Sequence, residues 1–168
     1  MKKLGKHGVI LLALALSGCQ AFTDAADTAK PHLEAAVDPK YEPSDEPARL
    51  GRDHFARGHF GLSERYFRDA VEKTPRDGDA WVGLAASYDH LRRFDLADRA
   101  YKEAVRLKGE TVQILNNRGY SYLLRGNVRQ ARIYFNRALS RDPQNPNIIN
   151  NLALLEQAQS YFDTTRAN

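Results

Sequence analysis

Among 168 residues there is one cysteine, one methionine and one tryptophan. A single thiol excludes an intramolecular disulfide and any CxxC pair for metal or redox chemistry. The histidines are His7, His32, His54, His59 and His90, and no HExxH relates any two of them. There is no P-loop, no GxSxG elbow and no GxGxxG after a strand, so the common phosphate, acyl-transfer and dinucleotide chemistries have no residues to work with. Long apolar runs are also missing. The longest, Val9 to Leu16, falls far short of the ~20 residues a helix needs to span a bilayer. No enzyme, no metal site and no non-covalent cofactor is expected.

What is present begins with an address. Lys2, Lys3 and Lys6 precede the run VILLALAL, and Ser17, Gly18 and Cys19 follow it. A basic start, a short apolar stretch and small residues make a secretory signal. Leu16-Ser17-Gly18-Cys19 resembles the bacterial lipobox, in which the cysteine becomes the first mature residue and its sulfur takes a diacylglycerol. The resemblance implies a signal peptide over 1–18 and a covalent lipid on Cys19. Several acyl chains on one residue anchor firmly where one chain holds only marginally. By the same resemblance Gln20, standing where an aspartate would retain the protein at the inner membrane, implies the periplasmic face of the outer membrane. Loss of residues 1–18 would take three lysines with it, so the formal charge of +4 would fall to +1.

Residues 19–43 carry five acids against two lysines, with Pro31, Pro39 and Pro43 and no sustained apolar period. This composition reads as a flexible tether, with room for a short helix near Leu33 to Val37. As a coil it would hold its cargo within roughly 25–30 Å of the lipid.

From Ser44 the chain repeats itself every 34 residues. Trp81, Ala85, Tyr88, Ala97, Tyr101 and Ala104 recur as Leu115, Gly119, Tyr122, Ala131, Phe135 and Ala138. One period earlier stand Pro47, Gly51, His54, Ser63, Phe67 and Ala70. Pro75 and Pro143 close two of the units. Gly58 and Gly126 mark the turn within a unit, where the middle unit has Arg92. The spacing resembles the tetratricopeptide repeat, a helix–turn–helix of this length. The resemblance implies an all-α solenoid of three units, 44–77, 78–111 and 112–145. Pro47 implies that the first helix starts late. Residues 146–162 look like the first helix of a fourth unit and read as a cap, with 163–168 fraying. Small residues let paired helices approach closely, and Phe60, Phe67, Tyr88, Phe94, Tyr101, Tyr122 and Phe135 are expected in the core.

In this fold the first helix of each unit lines a groove. The resemblance places there Arg49 and Arg52 from unit one and Asp79, Val82, Ala86 and His90 from unit two. Unit three offers Gln113, Asn116, Asn117 and Tyr120, and the cap offers Asn150 and Asn151. An asparagine both donates and accepts, so it can hold an extended peptide backbone without reading its sequence. Asn117 and Asn151, one repeat apart, are expected to form a ladder. The same side chains could instead cap helices or bond neighbouring turns. His54 and His90 read as packed or solvated side chains, and Asp95 and Asp98 as surface acids with helix partners in Arg99 and Lys102.

Charge is uneven. Units one and two are each neutral, whereas unit three holds six arginines against Asp142, for +5. That surplus could meet an acidic partner or lipid headgroups, or be a solvated face partly paired with the acidic tether. The export signal argues against nucleic acid. Arg118 stands where Leu50, Leu84 and Leu152 are apolar, so it is expected on an aromatic ring or a buried acceptor.

The lipobox, the repeats, the segment ILNNRGYSYLLRGN and the closing NPNIINNLALLEQ together resemble the TadD-type lipoproteins of Tad (Flp) pilus assembly. That resemblance implies a non-catalytic adaptor in the cell envelope that binds a protein or peptide segment and helps a secretin or pilus assemble. The alternative is a structural envelope lipoprotein contacting peptidoglycan or the barrel-insertion machinery. A Cys19→Ser variant is expected to leave the membrane fraction and to lose metabolic labelling with palmitate. Retained membrane partition with label would remove the anchor.

Overall fold

The computed structural model describes residues 40–166, with side chains to Ser160. The signal-like segment, Cys19, the tether to residue 39 and its expected helix near Leu33 lie outside the described residues. Seven helices follow in order: α1 (Pro47–Ala56), α2 (Phe60–Lys73), α3 (Gly78–His90), α4 (Phe94–Lys108), α5 (Val112–Leu124), α6 (Val128–Leu139) and α7 (Pro146–Arg166). Among the described residues there is no strand. Each odd-numbered helix but the last pairs with its successor as a hairpin, and neighbouring hairpins stack through α2 on α3, α4 on α5 and α6 on α7. The odd helices also touch one another along the stack.

Local chemistry sets the boundaries. Asp77 caps α3 by accepting from the Asp79 and Ala80 amides at 3.0 Å, and Thr111 caps α5 through the Ile114 amide at 3.2 Å. Asn145 takes the same place before α7, accepting from the Asn147 amide at 3.1 Å. These three residues occupy one repeat position, and each satisfies amides that a helix start leaves unpaired. Unit one has no such cap, and α1 begins at Pro47 on the fixed φ of its ring. The turn inside each unit closes in one way throughout. The amides of His59, Arg93 and Asn127 bond back to the carbonyls of His54, Tyr88 and Tyr122, each across five residues. That closure needs a left-handed residue. Gly58 and Gly126 supply it at φ 78° and 75°, while Arg92 is held at φ 58° despite its Cβ.

The core is built from rings pressed on small residues. A Cβ added at Gly51 would lie 2.9 Å from Phe67, and one at Gly119 would lie 2.5 Å from Phe135. Tyr101 packs in one cluster with Ala85. Phe67, Tyr101 and Phe135 are buried, whereas Phe60, Phe94 and Tyr122 are only partly so. Phe60 stacks on His90 of the next unit and Phe94 lies under Arg125 of the next unit, filling gaps between hairpins as expected, whereas Tyr122 stacks on Tyr134 within unit three. Two buried hydroxyls bridge the first two units: Ser63 Oγ donates to the Gly51 carbonyl at 2.9 Å and lies 2.8 Å from Ser87 Oγ.

Two boundaries differ from expectation. The packed region reaches back to Tyr41, three residues before the expected start. Tyr41 donates to the Asp69 carboxylate, and its ring lies 5.0 Å from Tyr66 and under the Arg65 guanidinium. The Glu42 amide donates to Tyr66 at 3.2 Å. An aromatic ring next to α2 outweighs the acidic, proline-punctuated context. At the other end α7 continues past Phe162 to Arg166, because no proline or glycine interrupts Asp163 to Arg166.

Two arginines of unit three pair with carboxylates of unit two. Arg125 grips the Asp98 carboxylate with two nitrogens at 2.7 and 2.8 Å, and Arg137 pairs with Glu110. Asp98 is therefore an inter-unit partner, not a helix-surface acid bonded within α4. Arg118 lies over the Tyr134 ring at 4.5 Å, the placement its apolar equivalents had suggested.

Gly83 tests the packing argument. Propensity alone favours alanine in mid-helix by about 1 kcal/mol. A Cβ there would collide with the tip of the Phe67 ring. We expect Gly83→Ala to lower unfolding stability by roughly 1–3 kcal/mol in urea titration, the range of overpacked cores. A stabilised variant would show that the ring yields freely.

Candidate peptide-binding groove

The odd helices place their inward residues around one groove with two connected lobes. The larger, of about 740 Å³, runs from α3 across α5 to α7. The smaller, of about 380 Å³, lies between α1, α3 and α5. Ala86, Phe55, Gln113 and Asn117 border both. Of the residues expected there, His90, Asn116, Tyr120, Asn150 and Asn151 line the larger lobe, and Arg52, Asp79 and Val82 the smaller.

Three of these expectations need correction. Arg49 does not line either lobe. Its guanidinium bonds Glu46 at 2.6 Å and Asp53 at 3.0 Å on the outer surface of α1. Val82 is buried among Ala104 and Ile114 and contributes floor rather than contact surface. The asparagine ladder is shifted by one residue: Asn151 Nδ2 donates to Asn116 Oδ1 at 3.0 Å. This pair lies 35 residues apart, one more than the repeat. Asn117 stays clear of it, between the two lobes. Asp79 is held by the Lys108 ammonium.

The sequence reading missed a polar centre behind the groove. Asp89 is buried at 2% exposure and borders the larger lobe. Its carboxylate accepts from Tyr101 Oη at 2.9 Å and from Ser121 Oγ at 2.5 Å, with an Arg125 nitrogen at 4.0 Å. Three helices, α3, α4 and α5, meet on this one acid. Burial pushes its carboxyl up from 3.8 to about 6, against the lowering pull of Ser121, Tyr101 and Arg125. A signal was present in the repeat alignment. Position 89 is Phe55 and Leu123 in the other units, and Tyr101 replaces Phe67 and Phe135. An acid and a hydroxyl both appear in unit two where the others are apolar.

An aromatic wall was also missed, since Phe55 was not among the expected residues. His90 stacks on Phe60 at 3.9 Å, meets Phe55 edge-on at 5.2 Å and approaches Tyr120 at 5.9 Å. Burial lowers the His90 pKa and so favours the neutral imidazole. His54 likewise packs, stacked on Tyr66 at 5.3 Å. Among the described residues no three histidine, cysteine or acidic side chains come together as metal ligands.

The tetratricopeptide repeat family matches residues 48–97 and 87–146. The chain belongs to the tetratricopeptide repeat family. The repeat is an interaction module whose stacked units create extended binding surfaces, and no enzymatic family is indicated. The chain is also similar to the type IV pilus assembly protein PilF of Pseudomonas aeruginosa, at 29% identity over 169 residues. That alignment covers 92% of this chain but only 63% of PilF, so the chain spans less than two thirds of that relative. A solved structure of P. aeruginosa PilF aligns with a TM-score of 0.57 at 25% identity, over 71% of this chain and 58% of that one. The first tetratricopeptide domain of human RPAP3 aligns with a TM-score of 0.60 at 19% identity, over 70% and 93%. The corresponding domain of Spaghetti, solved with the HSP90 peptide SRMEEVD, aligns at 0.58 and 20%, over 68% and 90%. The last two speak for the fold alone.

Asp89 gives the stability a pH signature. Between its unfolded value near 3.8 and its folded value of about 6, the native state keeps a proton that the unfolded chain has lost. Its contribution is therefore full below pH 4 and declines as pH rises through 6. We expect the stability difference between wild type and Asp89→Asn, measured by urea titration from pH 4 to 7, to move against the wild type by roughly 2–3 kcal/mol, at about 1.4 kcal/mol per pH unit. A flat difference would mean that the carboxyl titrates normally.

Proposed function

We propose that this chain is a non-catalytic adaptor, anchored through a lipid on Cys19 to the bacterial outer membrane, that holds a segment of a partner protein in its groove. The observation that carries the binding part is the continuous face of amides and aromatics shared by α3, α5 and α7, open along its length. A groove of this kind holds an extended segment through its backbone, with side-chain pockets adding selectivity. The partner is proposed to belong to a pilus assembly, such as a secretin subunit. Similarity to PilF across most of this chain supports that reading, and so do the TadD-like segments and the lipobox. The tether would give the repeat domain reach from the membrane without fixing its orientation.

The test uses the lipidated full chain as bait in detergent extract of its own bacterium, with Gln113→Ala/Asn117→Ala as control. Both residues lie on α5, one turn apart, and border both lobes. A net hydrogen bond is worth about 1 kcal/mol, so the double variant is expected to bind a pilus component about tenfold or more weaker. Undiminished capture would place the contact elsewhere on the molecule.

A further inference from the structure

The groove has a chemical bias that bears on which segment it accepts. Among the described residues around the larger lobe there is no lysine or arginine, but there are two carboxylates, Asp89 and Asp142. The cations nearby are turned away or engaged. Arg49 is bonded to Glu46 and Asp53, Lys108 to Asp79, and Arg125 to Asp98. Arg118 lies on Tyr134, outside both lobes. Among the described residues only Arg52 reaches the groove, in the smaller lobe. Among the described residues, the unit with the +5 surplus thus presents no cation to the groove, and its one charge there is the Asp142 carboxylate.

Two further features define the occupant. Asn116 and Asn151 hold each other, so the amides are partly pre-ordered before anything binds. An amide offers donor and acceptor together, which suits alternating N–H and C=O groups of an extended chain. Next to them, the Phe55, His90 and Tyr120 rings form an apolar wall, with the imidazole flat on Phe60.

We propose that the groove selects an extended segment free of acidic side chains and of a terminal carboxylate, and seats one apolar or aromatic side chain against the Phe55–His90–Tyr120 wall. This rests on the adaptor reading and names the class of segment within it. A carboxylate entering the larger lobe would lose water, find no cation and face two like charges. A basic side chain would meet Asp142 instead, with the buried Asp89 behind it. The aromatic wall rewards an apolar anchor through buried area.

The experiment is selection from a random dodecapeptide display library on the full chain in detergent, with the Gln113→Ala/Asn117→Ala chain as counter-target. Peptides specific to the wild-type groove are expected to be depleted in Asp and Glu and to share one large apolar or aromatic position. In anisotropy titrations of the best peptide, blocked at its C-terminus, replacing two non-anchor residues by Glu should weaken binding about tenfold or more. Replacing the same two by Lys should not. Groove-specific peptides rich in Asp or Glu would overturn this specificity and leave the adaptor reading standing. Peptides that bind the groove without a shared apolar position would overturn the anchor. Failure to enrich any peptide over the double variant would overturn both the specificity and the groove.

Discussion

The close seating of one ring on one small residue is the contact from which the rest of this molecule is assembled. Phe67 on Gly51, Tyr101 beside Ala85 and Phe135 on Gly119 bring the two helices of each hairpin together without a gap. Once that distance is fixed, the tight turn at Gly58, Arg92 and Gly126 must close in the same way each time. Even the arginine at position 92 is driven into a left-handed conformation to satisfy it. The next hairpin then stacks on a surface already shaped, and the odd helices come into line. The groove is thus a by-product of core packing. Its floor belongs to the core, through Val82, Tyr101, Asp89 and Ile148, while Gln113, Asn117 and Asn150 stand free to vary above it.

Much of this architecture was readable before any coordinate. A period of 34 with small and aromatic residues in register determines the helix pairs and their order. Pro47 marked the late start of α1. The odd character of Arg118 at an apolar position anticipated its seat on Tyr134. These inferences work because they compare equivalent positions within one chain, where a departure from the pattern has a local physical cause.

What could not be read has causes as specific. The placement of Asn151 on Asn116 rather than in line with Asn117 is a contact between two helices, with no mark in the repeat pattern. Arg49 left the groove because Glu46 and Asp53 flank it on its own helix, and a nearby acid on the same turn competes well with a solvent-facing pose. Tyr41 was hidden by its setting, since proline and acid around it read as tether. Asp89 was the exception, since its signal was present. An acid in unit two coincided with a tyrosine hydroxyl in place of two phenylalanines, and reading the two changes together would have located the buried network.

Helix α7 repeats the residue pattern of α3 and α5, yet among the described residues nothing covers its outer flank. Ala153, at the place of Gly119, is solvent-exposed, and so is Ile149, at the place of the fully buried Leu115. An inner helix is held between two neighbours, whereas this one is held from one side, and in a linear stack each interface adds its own increment. The molecule should therefore loosen in sequence, not all at once. Amide exchange would be fastest in α7, slower in unit three and slowest around the Tyr101–Asp89–Ser121 junction, where three helices share one acid. The end of the groove that carries Asn150 and Asn151 would then be its most yielding part. A segment entering there would meet a wall that can give way before it meets one that cannot.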